Sequence, residues 1–356
     1  MFIADHWKDY EVIDTSNGDK LERWGKYILR RPDPQVIWQT PFQNPYWKKL
    51  NGHYHRSNKG GGEWEFFDLP KQWKISYVLG GADAAASTLK PDVRATYCPT
   101  APVYAQLEKL PIEKRTLTFH LKPFTFKHTG LFPEQAANWD WFSDRILGEV
   151  ERRKQAGIDR PVSDRILGEV ERRKQAGIDR PVKVLNLFAY TGGATLAAAA
   201  AGAQVTHVDA SKGMVQWAKE NAEASHLKDA PIRWLVDDCM KFVEREIRRG
   251  NTYDAIIMDP PSYGRGPKGE IWKIEDSVYP LVQQAAKLLT EDSIFFLINS
   301  YTTGLQPAVM SYMLGTAIRA RLGGVIHSEE VGLPVTETGL VLPCGCSGRW
   351  ESCEKS

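Results

Sequence analysis

From residue 182 onward the chain repeats one pattern: short apolar runs separated by longer segments with helical spacing. The runs are Val184–Phe188, Val205–Val208, Ile232–Val236, Ala255–Met258 and Ile294–Ile298. Between them, Thr195–Ala201, Lys212–Ser225, Met240–Arg249 and Val278–Leu289 read as helices. Strands alternating with helices predict βαβ units, hence an α/β fold with a parallel sheet covered on both faces. Ligands in such sheets bind beyond the carboxyl ends of the strands. The residues after each run therefore carry the candidate chemistry.

The first 122 residues follow another pattern, rich in Trp, Tyr, Pro and Gly. Tyr27–Pro32 and the alternation of Leu117, Phe119 and Leu121 predict strands. The stretch from Gly80 to Lys114 predicts an irregular insertion. The expected organisation is a small β-rich domain over 1–122, possible ground for substrate binding, and an α/β domain over 123–356. Within the latter, residues 143–162 (SDRILGEVERRKQAGIDRPV) recur without a mismatch as residues 163–182. Solenoid repeats diverge and need about three copies to bury a core, so a perfect pair reads as a recent or engineered tandem duplication. Each copy predicts an amphipathic helix capped by its Ser-Asp. Gly157 and Pro161 interrupt any continuous helix, so two helices with a turn are expected, one in the native place and one looped out.

The strand exits form an ordered set. The first run leads into Tyr190-Thr191-Gly192-Gly193, a glycine turn that admits close backbone approach before a helix N-terminus with free N–H groups; a plain βα turn is the alternative. The second ends in Asp209, where a carboxylate can accept both hydroxyls of a ribose. Helix capping is the other role for Asp209, and Ser211 can supply that cap instead. The third ends in Asp237-Asp238. Asp238 is placed to accept an adenine amino group, and Asp237 to cap the next helix. The fourth ends in Asp259-Pro260-Pro261-Ser262-Tyr263. Two prolines cannot continue a central strand, so they stiffen an extended exit whose carbonyls point outward as acceptors. Tyr263 can stack on a flat base.

Taken together, the stretches VLNLFAYTGGATL, VTHVDASKGMVQWAKENAE and YDAIIMDPPSYGRG resemble the class I S-adenosylmethionine-dependent methyltransferases. Within them, the chain is similar to the bacterial large-subunit ribosomal RNA methyltransferases that form 5-methylcytosine or 7-methylguanine. Phe126–Gln135 resembles the segment preceding the core in that group. The resemblance spans residues 123–330. It implies a Rossmann-like sheet, S-adenosylmethionine as cofactor and RNA as substrate. Tyr190, Gly192 and Gly193 would hold the methionine part, Asp209 and the neighbouring Ser211 the ribose, and Asp238 the adenine. Asp259, Pro260, Pro261, Ser262 and Tyr263 would line the methyl-transfer site, and Thr129 and Phe132 would close the pocket.

One departure shapes the expected chemistry. Methylating carbon 5 of a pyrimidine needs a thiolate that adds to the ring. The cytosine-modifying relatives carry a Cys after the fifth strand, where this chain reads Asn299–Leu305 without one. A buried structural role is expected for Cys239. Direct in-line transfer to a nitrogen is therefore favoured.

Composition adds limits. Of 356 residues, 42% are hydrophobic and 25% charged, and the net charge is +2. These values suit a globular chain with a real core and neither demand nor exclude nucleic acid. Five Cys suggest no disulfide framework. No metal is expected: His53 and His55 read as part of an exposed loop, and Cys344, Cys346 and Cys353 lack a fourth ligand. No apolar run suggests a membrane span, and the cytoplasm is the default compartment. Rival readings are a protein or small-molecule methyltransferase, a Rossmann oxidoreductase and a non-catalytic RNA-binding protein. The oxidoreductase lacks support because AYTGG is not G-x-G-x-x-G.

Overall fold

A computed structural model describes residues 1–41, 43–57, 61–82, 89, 91–98, 103–124, 127–158, 180–265, 271–302 and 304–353. Its centre is an eight-stranded sheet. In spatial order the strands are Phe2–Ile3, Val325–Pro334, Val341–Glu351, Phe295–Ser300, Ala255–Met258, Lys183–Leu187, Gln204–Asp209 and Ile232–Val236. The last five run parallel, and Val341–Glu351 lies antiparallel to Phe295–Ser300. The five apolar runs thus become the five parallel strands.

Alternation along these strands feeds two cores. Val184, Ile257, Phe295 and Leu297 face one apolar cluster, and Leu185, Ile256, Phe296 and Ile298 face the other. The first cluster is covered by the helices Ala136–Ile158 and Gly193–Ala200, the second by Cys239–Arg248, Ile274–Ala286 and Pro307–Leu314. A strand buried on both faces has no polar side to show, which is why it reads as an unbroken apolar run.

Residues 10–66 form a five-stranded sheet, and Trp73–Val78 pairs with Thr116–Leu121. Packing crosses residue 122: Trp7, Tyr77 and Phe119 share the first cluster with Trp139 and Phe142, and Phe2–Ile3 extends the central sheet along Val331–Gly332. Gly80–Lys114, expected to be irregular, contains the helix Pro91–Tyr97.

The first copy of the duplicated segment does not begin a helix. Ser143 lies inside the helix Ala136–Ile158 and donates its hydroxyl to the Ala197 carbonyl at 3.1 Å. The expected Ser-Asp cap fails because the apolar stripe continues upstream through Trp139 and Phe142. The second copy's expected helix, from 163 to 179, lies outside the described residues. Its end is described. Arg180 joins Arg153 of the first copy on the fully buried Asp254, at 2.6 and 2.8 Å, and Lys183 N–H donates to the same carboxylate. Arg180 repeats Arg160 of the first copy. One complete repeat's anchoring is therefore assembled from the helix of one copy and the tail of the other.

Candidate active site

The first parallel strand exits through Phe188 and Tyr190, whose φ values are 55° and 50°. Left-handed backbone on bulky residues costs on the order of 1–3 kcal/mol each and gathers at functional turns. Gly192, at φ 90°, then precedes the helix Gly193–Ala200. The close approach expected of the glycine pair is made to the protein's own side chains. A Cβ on Gly192 would lie 2.9 Å from Ala218 Cβ, and one on Gly193 would lie 2.6 Å from the Trp139 ring.

Asp209 fastens this turn to the next strand. Its carboxylate accepts the Tyr190 N–H at 2.9 Å and the Ser211 N–H at 2.8 Å. Burial raises its pKa, against those two bonds. Ser211 caps the helix Lys212–Ala224, accepting the Met214 N–H at 3.4 Å.

At the third exit the helix cap expected of Asp237 is made by Asp238 instead. Asp238 is the helix cap, accepting the Lys241 N–H at 2.9 Å, while Asp237 pairs with Arg245 and accepts the Asp238 N–H. Asp238 directly precedes the first helical residue and has extended backbone, the N-cap geometry. One of its oxygens is thereby engaged.

The fourth exit places Asp259 at the sheet's carboxyl edge. Its Oδ1 is buried and accepts no hydrogen bond among the described residues. Burial, with the nearby Glu134 carboxylate, pushes it up to about 7. Two carbonyls of this exit are engaged within the protein. The Pro261 carbonyl accepts the Trp272 indole N–H at 2.6 Å, and the Ser262 carbonyl accepts the Ile274 N–H at 3.1 Å. Ser262 also shares a hydroxyl hydrogen bond with Thr302 at 2.5 Å. These bonds exist because the chain folds back here as the strands Tyr263–Arg265 and Ile271–Lys273. Tyr263 is about half exposed.

The first and fourth exits border one cavity, walled in part by Phe132, Gln135, Tyr190, Gly193, Asp259 and Asn299. Thr129, Gly192, Asp209, Ser211, Asp238 and Pro260–Tyr263 lie outside its immediate wall. The Phe132 ring sits 5.5 Å from both Tyr190 and Tyr301. Its segment is fixed from below. Thr191 donates its hydroxyl to the Gly130 carbonyl at 2.6 Å, and a Cβ on Gly130 would lie 2.3 Å from the Trp217 ring. Thr129 is fully buried, with a hydroxyl that finds no partner among the described residues. Phe126 lies outside the described residues.

Sequence reasoning missed the amides on this wall. Gln135 Nε2 donates to the Tyr301 hydroxyl at 2.6 Å. Asn138 Nδ2 donates to Gln135 Oε1 and Asn299 Oδ1, and Asn138 Oδ1 accepts from Arg349. Three distant segments converge here, so no local pattern announces them. Cys344 was also missed; it lies near Glu134 and Tyr301, and burial pushes its thiol well up. Cys239 is buried as expected, and its sulfur accepts the Phe188 N–H at 3.3 Å. Neither thiol is held as a thiolate. Far from the cavity wall, His53 and His55 stand on the strand Gly52–Arg56 rather than in a loop, with ligand atoms within 4.8 Å of Glu65.

On the N-terminal side lies a buried charge cluster. Glu22 accepts two bonds from Arg31, at 2.6 and 2.8 Å, and the Tyr10 hydroxyl at 2.7 Å. Lys20 stands 3.6 Å from Glu22 and 3.2 Å from Asp33. Burial alone would raise Glu22, but Arg31 and Lys20 outweigh it and hold it at about 2.

A family model for S-adenosylmethionine-dependent methyltransferases matches residues 108–299. A crystal structure of a SAM-dependent methyltransferase from Agrobacterium tumefaciens is 30% identical, covers 97% of this chain and 91% of its own, and superposes with a TM-score of 0.72. The protein SMU.776 from Streptococcus mutans, solved with SAH, shares the fold at a TM-score of 0.57 and 16% identity, over 96% of this chain and 76% of its own. Among curated proteins, ribosomal RNA large subunit methyltransferase K/L of Pseudoalteromonas atlantica is 40% identical over 30% of this chain and 15% of its own length. Ribosomal RNA large subunit methyltransferase K of Neisseria meningitidis is 33% identical over 33% of this chain and 34% of its own. The chain thus spans about a third or less of these two curated relatives. The orphaned Asp259 oxygen and the aromatic wall suit a charged, ring-bearing methyl donor. The chain belongs to the S-adenosylmethionine-dependent methyltransferases, and S-adenosylmethionine is its cofactor.

Proposed function

We propose that the protein methylates a base nitrogen of RNA, in large-subunit ribosomal RNA, by direct in-line transfer. The observation that carries this reading is Asp259, on the cavity wall at the start of a proline-stiffened exit, with one buried carboxyl oxygen unengaged and no thiolate beside it among the described residues. The names of the curated relatives support the substrate class. S-adenosylmethionine supplies an electrophilic methyl on sulfur. Bound there, it would give its methyl to the lone pair of the base nitrogen with S-adenosylhomocysteine as leaving group, and any proton on that nitrogen would pass to solvent.

In this reading Tyr190, Gly192 and Gly193 hold the methionine part. Asp209 takes the ribose with Ser211 beside it, and the second oxygen of Asp238 takes the adenine amino group. Phe132 closes the pocket, and Thr129 supports it from beneath. Asp259, Pro260, Pro261 and Ser262 position the target base, and Tyr263 stacks on it. Residues 1–122 form the substrate-side part, and the work is cytoplasmic. Among the described residues no helix is long and apolar enough to cross a membrane.

The test is to incubate the protein with unmodified ribosomal RNA, ribosomal protein extract and a metabolite pool, each with methyl-labelled donor, then analyse products by mass spectrometry. A labelled N-methylated nucleoside is the expected product. Labelled 5-methylcytosine would overturn direct transfer, and label confined to protein or metabolites would overturn RNA as the substrate.

A further inference from the structure

A second cavity, of about 530 Å³, opens beside Ala137, Trp141 and Arg145 of the helix Ala136–Ile158 and the edge strand Phe2–Ile3 of the central sheet. Its size falls in the range of small-molecule sites. Arg94, Arg145 and Arg349 line it with the rings of Phe2, Tyr97, Tyr104 and Trp141, and the carboxylates Asp5, Glu329 and Glu351 share the wall. None of these residues belongs to the methyl-transfer cavity.

Arg349 is the unusual member. It is 6% exposed. Its guanidinium lies 3.5 Å from the centroid of Phe2 and 4.7 Å from that of Trp141. Nε and Nη2 donate to Asn138 Oδ1, and Nη2 also donates to the Ala137 carbonyl. Both acceptors are neutral. Arg94 is paired with Asp5 at 3.3 Å and Arg145 with Glu351 at 2.5 Å, whereas Arg349 makes no ion pair among the described residues. A buried cation whose direct hydrogen bonds all go to neutral acceptors is costly, by several kcal/mol in proteins generally. Burial draws Arg349 down to about 9, with Arg145 acting the same way and the more distant Glu351 and Asp140 opposing it. Its remaining nitrogen, Nη1, finds no acceptor among the described residues and belongs to a side chain on the cavity wall.

We propose that this cavity binds a small aromatic anion, a flat ring carrying a carboxylate or phosphate. The anionic group is met by Arg349 Nη1 and the ring lies among Tyr97, Tyr104 and Trp141. Guanidinium matches both oxyanions in shape and charge. The aromatic wall selects for the ring. A bare anion or a bare ring satisfies only one half of the site.

Binding is measured by calorimetry on the full chain, with the methyl-transfer cavity saturated by S-adenosylhomocysteine. The probes are benzoate and phenyl phosphate, with phenol and inorganic phosphate as half-ligands. At least one of the two complete probes is expected to bind, tenfold or more tighter than either half-ligand. The stronger of the two identifies the source of the charge. Arg349→Met is expected to weaken that probe at least tenfold. Because Arg349 is buried, Tyr97→Ala on the half-exposed helix end serves as the second variant and is expected to weaken it several-fold. No binding of either complete probe at about 10 mM, a free energy weaker than about −3 kcal/mol, overturns the proposal. So does binding left unchanged by Tyr97→Ala.

Discussion

Glu22 and Asp259 are both carboxylates drawn out of water, one in the N-terminal sheet and one at the end of a parallel strand. Glu22 is surrounded by Arg31, Lys20 and Tyr10, and is held at about 2. Asp259 has an oxygen with no partner, a second acid nearby, and is pushed up to about 7. Burial acts on both in the same direction; the neighbours decide the outcome. Charge that is fully answered within the protein serves the fold. Charge left open at a cavity is available to something that arrives.

The largest effect that would break this contrast is at Glu22. Glu22→Ala strands Arg31 and Lys20 without their shared acid and should cost about 3–5 kcal/mol, read as a lower urea midpoint. A loss below 1 kcal/mol would show that the cluster is not structural. Next is Gly193→Ala, whose new Cβ meets the Trp139 ring. Overpacking of that kind costs about 1–3 kcal/mol, and it should also weaken S-adenosylhomocysteine binding because both residues wall the cavity.

The pH dependence sharpens the same comparison through its sign. Asp259, raised when folded, holds its proton in the native state between about pH 4 and about 7 while the unfolded chain has lost it. It therefore makes stability fall as pH rises through that window, and Asp259→Asn should remove that part of the slope. Glu22, lowered when folded, contributes stability above its ordinary value that disappears as pH drops toward 2. Urea midpoints measured across pH for wild type and Asp259→Asn check the first claim; parallel curves would refute it. The smallest effect is expected at Asp238→Ala, about 1 kcal/mol for a lost helix cap. A loss of donor affinity beyond that stability change would support its adenine role.

How much of this was legible varied with the physics of each region. The five parallel strands were readable because double burial leaves them uniformly apolar. The hairpin Val325–Pro334 and Val341–Glu351 was not, because its outer stretch carries His327, Ser328, Glu329 and Glu330 at exposed or half-exposed positions. Glu22 sits in the strand DKLERW, which reads as a solvated edge; only its cross-strand partners make it a core residue. The positions of Asp209 and Asp259 at strand ends were readable because strand ends are local in sequence. Gln135, Asn138 and Asn299 were not, since their bonds close only in three dimensions. The partners of the Pro261 and Ser262 carbonyls were hidden for a similar reason: the Trp272 and Ile274 donors arrive from a later strand and helix.

The clamp on Asp254 has a practical side. Arg153 and Arg180 reach the same carboxylate although 27 positions separate them. In an unduplicated chain the second arginine would be Arg160, only seven positions on. The protein thus carries twenty additional residues at this joint while both arginines keep their grip. That makes the joint a natural port for protein engineering. A reporter domain could be spliced in there, or new termini opened by circular permutation, with Asp254 as the latch that reports whether the graft has been accepted.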